Sequence, residues 1–142
     1  MYGSLDISTS GMVAQRVRLA SIAANIANKD AILDENGEAN PYRRRHVMFE
    51  PGDPSAASAD GRALGVHVSE IVSDEDAIRW QWDPDHPFAE KSGPRQGYLA
   101  VPDIDPVVEQ VNAMEASRAY EANVVAAEAT KTMLAQALRL LA

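Results

Sequence analysis

The chain has 142 residues, a formal net charge of −8, no cysteine, 46% hydrophobic residues and 6% aromatic residues. This length suits one small domain or a chain of few parts, and the lack of cysteine excludes disulfides, thiolate zinc sites and cysteine nucleophiles. The acidic balance argues against nucleic-acid binding, because the neutralisation of phosphates requires a net basic face.

Helix-breaking residues are confined to the middle of the chain. All eight prolines lie between Pro41 and Pro106, and most of the glycines lie in the same region. The two ends are free to form long helices, whereas a compact enzyme of alternating strands and helices would distribute its turns along the whole chain. We predict an α+β fold: an N-terminal helix in residues 1–29, a small β-rich domain in 30–104, and a C-terminal helix in 105–142. The two helices are expected to pair as a coiled-coil-like unit.

The N-terminal segment has the apolar periodicity of an amphipathic helix. Four apolar residues recur every seven positions: Leu5, Met12, Leu19 and Ile26. This period predicts a helix over residues 5–27 that packs through one apolar face. Ser4 is the expected N-cap, because its hydroxyl can accept a hydrogen bond from the first turn. Gly11 lies inside the predicted helix, where a glycine costs about 1 kcal/mol relative to alanine.

The same segment lacks the features of a cleavable secretory signal. Asp6 lies where a basic region is expected, and Arg16 and Arg18 interrupt any apolar stretch. No apolar run approaches the roughly 20 residues that a membrane-spanning helix needs, so no direct membrane insertion is expected. If the protein leaves the cytoplasm, we expect a route that needs no Sec signal.

The middle of the chain predicts a small β unit with irregular connections. Residues 30–63 are expected to be mostly loop, since they are rich in turn-forming residues. Alternating apolar and polar residues predict four strands, at residues 42–49, 64–72, 77–82 and 97–101. A unit of this size is too small to hold a buried catalytic cleft comfortably.

The polar residues of the middle offer only weak candidates for chemistry. Five residues could ligate a metal ion, although their spacing matches no established site: Asp83, Asp85, His86, Asp103 and Asp105. Residues 43–46 form a basic cluster, but acidic residues flank it, so a strand edge or an acidic neighbouring subunit suits it better than nucleic acid. No nucleophile or phosphate-loop motif is present. We expect no catalytic residue and no cofactor, and a metal-binding module remains an alternative.

The C-terminal segment predicts one uninterrupted helix. Asp105 is placed as an N-cap, Pro106 occupies the first helical position, and neither glycine nor proline follows. A helix over residues 106–141 spans about 54 Å at 1.5 Å per residue. Because a compact chain of this length has a radius of gyration of about 15 Å, such a helix is expected to protrude.

Two apolar stripes follow this helix on nearly opposite faces, about 160–170° apart at 100° per residue. The first consists of Ala113, Ser117, Tyr120, Val124, Ala127, Leu134, Leu138 and Leu141. The second consists of Val107, Val111, Met114, Ala122, Val125, Ala129 and Leu140. An intramolecular helical hairpin accounts for one stripe and leaves the other without a partner, which favours assembly with other subunits. Since the stripes lack partners before assembly, the termini of the isolated chain are expected to be mobile.

Several segments, taken together, resemble a known family. They are residues 5–28 with the run Ala23-Ala24-Asn25-Ile26-Ala27-Asn28, the motif Pro41-Tyr42-Arg43-Arg44, residues 83–87, residues 97–105, and residues 111–124 followed by Lys131 and Met133. These segments are similar to those of flagellar basal-body rod proteins, and most closely to the FlgC type of the proximal rod. They occur in the expected order and at nearly the expected length.

The resemblance implies a structural role without catalysis. Family members build the rod, the axle that crosses the periplasm, and leave the cell through the flagellar type III export channel without a cleaved signal. The implied partners are copies of the chain, other rod subunits, an adaptor protein at the base of the export gate, and the export apparatus during secretion. A distal-rod or hook subunit is a closer alternative than a metal-binding module, but such chains carry larger middle domains than this one.

The stripes and the resemblance together predict a set of subunit-interface residues. In the N-terminal helix the set is Leu5, Met12, Leu19, Asn25, Ile26 and Asn28. In the C-terminal helix it is Val111, Met114, Tyr120, Asn123, Val124, Val125, Lys131, Met133, Leu134 and Leu138. The resemblance implies contacts in the axial core for Asn25, Asn28, Tyr120, Asn123, Lys131 and Met133.

Overall fold

A computed structural model describes residues 2–141 and contains two long helices, one short helix and two small antiparallel sheets. In chain order the elements are α1 (Tyr2–Ala27), β1 (Arg45–Pro51), α2 (Ala59–Leu64), β2 (Val66–Ser73), β3 (Ile78–Trp82), β4 (Tyr98–Pro102) and α3 (Pro106–Leu141). The predicted α+β class, with long terminal helices around a small β-rich middle, is confirmed.

Helix α1 begins earlier than its sequence suggests. It starts at Tyr2, so Ser4 lies inside the helix and the prediction that it forms the N-cap is wrong. Tertiary packing explains the difference, since Gly3 is buried against Asp60 of α2 and this contact holds the first turn in helical conformation. A propensity argument cannot include a contact with a residue so far away in the chain.

The helices α1 and α3 pack against each other in antiparallel orientation. Three contacts mark the register, pairing Gly11 with Asn123, Arg18 with Glu115, and Asn25 with Glu109. If this register continues to the start of α1, the first residues of α1 lie beside approximately residue 132 of α3. The last turns of α3, residues 133–141, therefore extend beyond α1, and we call them the overhang.

The centre of the α1–α3 contact is built from small side chains. Ala14 and Ala116 are buried there, and Gly11 is buried against Asn123. The four residues of the predicted heptad stripe are half-buried instead. A straight helix with 3.6 residues per turn drifts by about 20° per heptad, so a seven-residue repeat does not stay on the contact line.

The middle of the chain forms two separate sheets rather than one unit of four strands. Strand β1 pairs only with β2, and β3 pairs only with β4. Strand β1 begins at Arg45 rather than at Tyr42, because the backbone NH of Tyr42 donates to Ala31 O at 2.9 Å instead of joining the sheet. The turn at residues 74–77 then separates β2 from β3.

The segment between β1 and β2 also differs from the predicted loop, because it contains α2. The hydroxyl of Ser58 caps this helix by accepting from the backbone NH of Gly61 at 3.0 Å. Gly61 inside such a short segment is typical of a turn, and this residue hides the helix from a sequence-based prediction.

Candidate assembly surfaces

The second apolar stripe of α3 is exposed on the face that points away from α1. It consists of Val107, Val111, Met114, Ala122, Val125, Ala129 and Leu140, and we call it the outer face of α3. Val107 is 66% exposed, Val125 is 64% exposed and Leu140 is 88% exposed. A helix with apolar residues on two opposite faces buries only one of them in a hairpin, so the outer face is available to another chain.

The overhang is also largely exposed. Met133, Leu138 and Leu140 are exposed there, whereas Leu134 is half-buried. Lys131 is exposed just before the overhang begins. The side chain of Leu141, which the sequence assigned to the first stripe, lies outside the described residues.

The first stripe of α3 lies on the side that faces α1. Its members before the overhang, Ala113, Ser117, Tyr120, Val124 and Ala127, are half-buried. Asn123 is half-buried on the same side, where its amide Nδ2 donates to Ala119 O within the helix at 2.8 Å. A side chain added at Gly11 would lie 2.8–2.9 Å from the Asn123 amide, so these two residues set how closely the helices approach.

The predicted interface residues of α1 take three different positions. Leu5, Met12, Leu19 and Ile26 are half-buried beside the contact with α3. Asn28, just after α1, donates from its amide to Ala24 O at 2.8 Å and so closes the helix end. Asn25 is buried inside the subunit, and its side chain is not on a surface at all.

Asn25 and Glu109 form the centre of a buried group of polar side chains. Each of the two residues is only 1% exposed. Glu109 Oε1 accepts from Arg44 Nε at 2.8 Å and lies 2.6 Å from Arg44 Nη2, while Oε2 accepts from the Asn25 amide at 3.0 Å. A buried carboxylate needs such partners, because an unpaired charge in the interior is very unfavourable. With Tyr42, these side chains make up what we call the polar junction.

The Asn25 amide also holds the start of β1. Its Oδ1 atom accepts from the Arg45 backbone NH at 2.9 Å and from the Tyr42 hydroxyl at 3.1 Å, and its Nδ2 atom donates to Arg45 O at 3.0 Å. Burial raises the pKa of the Tyr42 hydroxyl, the Arg45 cation opposes that shift, and the Glu109 charge adds to it. The polar junction thus ties the end of α1, the start of β1 and the start of α3 together.

The basic cluster at residues 43–46 is largely engaged within the subunit. Arg44 pairs with Glu109, Arg45 lies over the Tyr42 ring at 5.3 Å, and His46 lies 3.9 Å from Asp74. Two of these four side chains therefore have acidic partners within the subunit. A cleft of about 340 Å³ lies beside the cluster, between α1, β1 and α3, and Ser21, His46 and Glu109 are among its lining residues.

Neither a metal centre nor a membrane helix is apparent within residues 2–141. The acidic and histidine side chains of this part are not grouped in threes as metal ligands, so Asp83 and His86 do not form the predicted alternative site. None of the helices described here is both long and apolar enough to cross a bilayer.

Sequence reasoning missed the partners of Asn25. Glu109 lies in the first turn of α3, where an acidic residue is common and so gives no signal of a buried partner. The available signal was the Pro41-Tyr42-Arg43-Arg44 motif, which supplies both a hydroxyl and a guanidinium to the polar junction.

Comparison with known proteins places these features in a family. The family model described as "Flagellar basal body rod FlgEFG protein C-terminal" matches residues 95–140, which include β4 and nearly all of α3. The chain is 38% identical over 149 residues to "Flagellar basal-body rod protein FlgC" of Bacillus subtilis, covering 98% of this chain and 97% of the relative. The same-named protein of Borreliella burgdorferi is 33% identical over 150 residues, covering 99% and 97%. That of Escherichia coli O157:H7 is 35% identical over 136 residues, covering 95% and 93%.

The similarity extends along nearly the whole length of both partners in each comparison, so it spans the segments that form the helices and both sheets. With identities of 33–38% over this extent, the chain belongs to the FlgC family of flagellar basal-body rod proteins.

Proposed function

We propose that this chain, a structural subunit of the bacterial flagellar rod rather than an enzyme, self-assembles through its terminal helices into a hollow helical drive shaft. The observation that carries the proposal is the outer face of α3, which is exposed and mostly apolar, with Arg118 as a charged residue on it. Neighbouring subunits are the natural cover for such a face, because exposed apolar patches of this extent are unfavourable in water.

The proposed interface has three parts. The outer face contributes Val111, Met114 and Val125, and the end of α3 contributes Lys131, Met133, Leu134 and Leu138. The half-buried residues Leu5, Met12, Leu19, Ile26, Tyr120, Asn123 and Val124 line the sides of the helix pair. Asn25 and Asn28 act from within the subunit by fixing the end of α1.

In the assembled rod, we place residues 1–29 and 105–142 near the axis and residues 30–104 outside it. The partners are other copies, other rod subunits and an adaptor protein at the base of the export gate, with no nucleic acid and no direct insertion into a membrane. We further propose that the subunit leaves through the flagellar export channel without a cleaved signal and that its rod crosses the periplasm. Family membership supports these assignments.

Distal-rod and hook subunits are weaker alternatives. The chain covers 97% of the length of the FlgC relatives from Bacillus subtilis and Borreliella burgdorferi, so the similarity to proteins of that name extends over almost all of them.

A charge placed on the outer face of α3 tests the proposal. Val125→Asp is expected to leave the fold of the subunit intact, because the side chain is exposed, and to abolish rod formation and motility when it replaces the wild-type chain. Gln110→Asp is the matched control, since it adds the same charge at another exposed position of α3. Val124→Asp, on the half-buried side, is expected to block assembly as well, but by weakening the α1–α3 pair. Normal motility with Val125→Asp contradicts the proposed role of the outer face.

A further inference from the structure

We propose that Asn36 is a site of spontaneous covalent modification, where the backbone nitrogen of Gly37 displaces the side-chain amide and leaves an aspartate or an isoaspartate. We assign to Asp34 the role of limiting the rate of this reaction. The inference concerns the connection between α1 and β1 and is independent of how the subunit assembles.

The sequence singles out position 36 among the asparagines of the chain. Asn36 alone is followed by a glycine. The backbone nitrogen of the next residue is the nucleophile in this reaction, and glycine leaves that nitrogen unhindered because it has no Cβ atom. Asn28 precedes a lysine instead, and Asn40 precedes Pro41, whose nitrogen carries no hydrogen.

The Asn36-Gly37 pair lies at the tip of an exposed turn. Residues 35–40 are all exposed, and Gly37 has a φ of 81°, which glycine adopts without strain. A Cβ atom built at Gly37 would have no neighbour within 4 Å. Within residues 2–141 the side-chain amide of Asn36 makes no hydrogen bond. The reacting groups are therefore open to water, and no side chain packs over them.

A set of hydrogen bonds, which we call the clasp, restrains the nucleophile. The Gly37 NH donates to Asp34 O at 3.1 Å, and Asp34 N donates to Glu38 O at 3.0 Å. The Asp34 carboxylate adds to the clasp, because its Oδ1 atom accepts from the backbone NH of Asn36 at 2.9 Å and of Glu38 at 3.0 Å. Since the Gly37 NH is engaged by a carbonyl oxygen, the clasp must open before this nitrogen can attack.

The clasp has little support from the rest of the subunit. A single pair of bridged residues, Leu33 and Ala39, adjoins it, and Leu33 is 44% exposed. Exposed turns held by a few hydrogen bonds open locally at low free energy. The loss of one such bond increases the open population about fivefold, so the Asp34 carboxylate controls how often the Gly37 nitrogen is free.

The reaction balances without an oxidant or a cofactor. Gly37 N gives up its proton and bonds to Asn36 Cγ, and the side-chain nitrogen leaves as ammonia, which takes that proton with it. Water then opens the cyclic imide. Breakage of the bond from Gly37 N to Asn36 Cγ yields aspartate, whereas breakage of the bond to the Asn36 backbone carbonyl carbon yields isoaspartate.

Both products change the turn. Each adds a negative charge beside Asp34, Glu35 and Glu38, and isoaspartate also inserts a methylene group into the backbone. The clasp cannot re-form around the longer backbone with the same spacing. Because the ammonia is lost, no step restores the amide, and the modified form accumulates with the age of a chain.

Incubation of the purified full chain at mildly alkaline pH, followed by peptide mapping with mass spectrometry, tests the proposal. We expect Asn36 to lose its amide faster than Asn28 and Asn40 of the same chain. Asp34→Ala is expected to speed the loss at Asn36 about fivefold, because the reacting nitrogen is free more often. Asp34→Asn removes the charge but keeps an acceptor oxygen, so it should stay near the wild-type rate. Glu35→Ala is the matched control, since it removes a neighbouring exposed carboxylate that takes no part in the clasp.

Retention of the Asn36 amide to the same extent as the Asn40 amide overturns the modification site. A product that contains aspartate without isoaspartate overturns the attack by Gly37, because direct hydrolysis of the side chain yields aspartate alone. An equal rate of loss in Asp34→Ala and the wild type, or equal acceleration by Glu35→Ala, overturns the role of Asp34. The measurement uses the free chain, so a negative result leaves the assembly test at Val125 untouched.

Discussion

Glu109 is the residue on which the start of α3 depends. Its carboxylate is buried, carries the Arg44 ion pair and accepts from Asn25. Asn25 is one of the subunit-interface residues that the sequence predicts, whereas in the structure its side chain is buried within the subunit. The pairing of residues 25 and 109 could not be predicted, because no local rule links positions so far apart.

Neutralising Glu109 is expected to weaken the fold. Glu109→Gln keeps the shape of the side chain but leaves Arg44 without a counter-charge, which lowers the free energy of unfolding by about 2 kcal/mol. Glu115→Gln is the matched control, because the Arg18–Glu115 pair is exposed and its loss costs less than about 1 kcal/mol. Chemical denaturation of the two purified variants measures both values, and an equal effect contradicts the role of the polar junction.

Tyr42 gives the polar junction a dependence on alkaline pH. Burial raises the pKa of its hydroxyl above the ordinary value of 10.0, so the folded state holds this proton more tightly than the unfolded state does. The resulting stabilisation is complete below pH 10 and is lost as the pH rises through the folded-state pKa. As the pH rises above 10, the free energy of unfolding of Tyr42→Phe should therefore fall less steeply than that of the wild type in denaturation experiments. If the free energies of unfolding of the two proteins fall with the same slope above pH 10, Tyr42 is not the source of this pH dependence.

At the scale of elements, α3 is the easiest to predict from the sequence and α2 is the hardest. The N-cap at Asp105, the proline at position 106 and the absence of later helix breakers predict one uninterrupted helix. In the structure this helix begins at Pro106, as expected. The helix α2 was missed because a glycine-containing segment becomes helical only through its cap and its contact with α1. Local patterns predict elements that local forces stabilise, and they fail where tertiary contacts decide.

The α1–α3 contact depends on Gly11, which sequence reasoning recognised only as a cost to the helix. Gly11→Val introduces a branched side chain where Asn123 already lies, so the free energy of unfolding is expected to fall by about 1–3 kcal/mol. Ala20→Val is the matched control on the exposed side of α1. If both substitutions have the same effect in chemical denaturation, close packing at Gly11 is not what sets the distance between the helices.

For the whole molecule, the distribution of apolar residues explains why it is a subunit rather than an independent domain. Within residues 2–141 the buried apolar side chains are mostly alanines, and the larger ones are Ile22 and Leu99. The outer face of α3 and the overhang hold exposed valine, methionine and leucine instead. Because apolar burial supplies most of the stability of a fold, we expect neighbouring subunits to provide much of this chain's apolar burial.

Imaging an intact basal body that contains this chain by electron cryomicroscopy is the most direct test of that account. We expect α1 and α3 near the axis of the rod, residues 30–104 outside them, and Val107, Val111, Met114 and Val125 covered by a neighbouring subunit. Density that places the chain outside the rod, or that leaves the outer face of α3 open to solvent in the assembled rod, would contradict it.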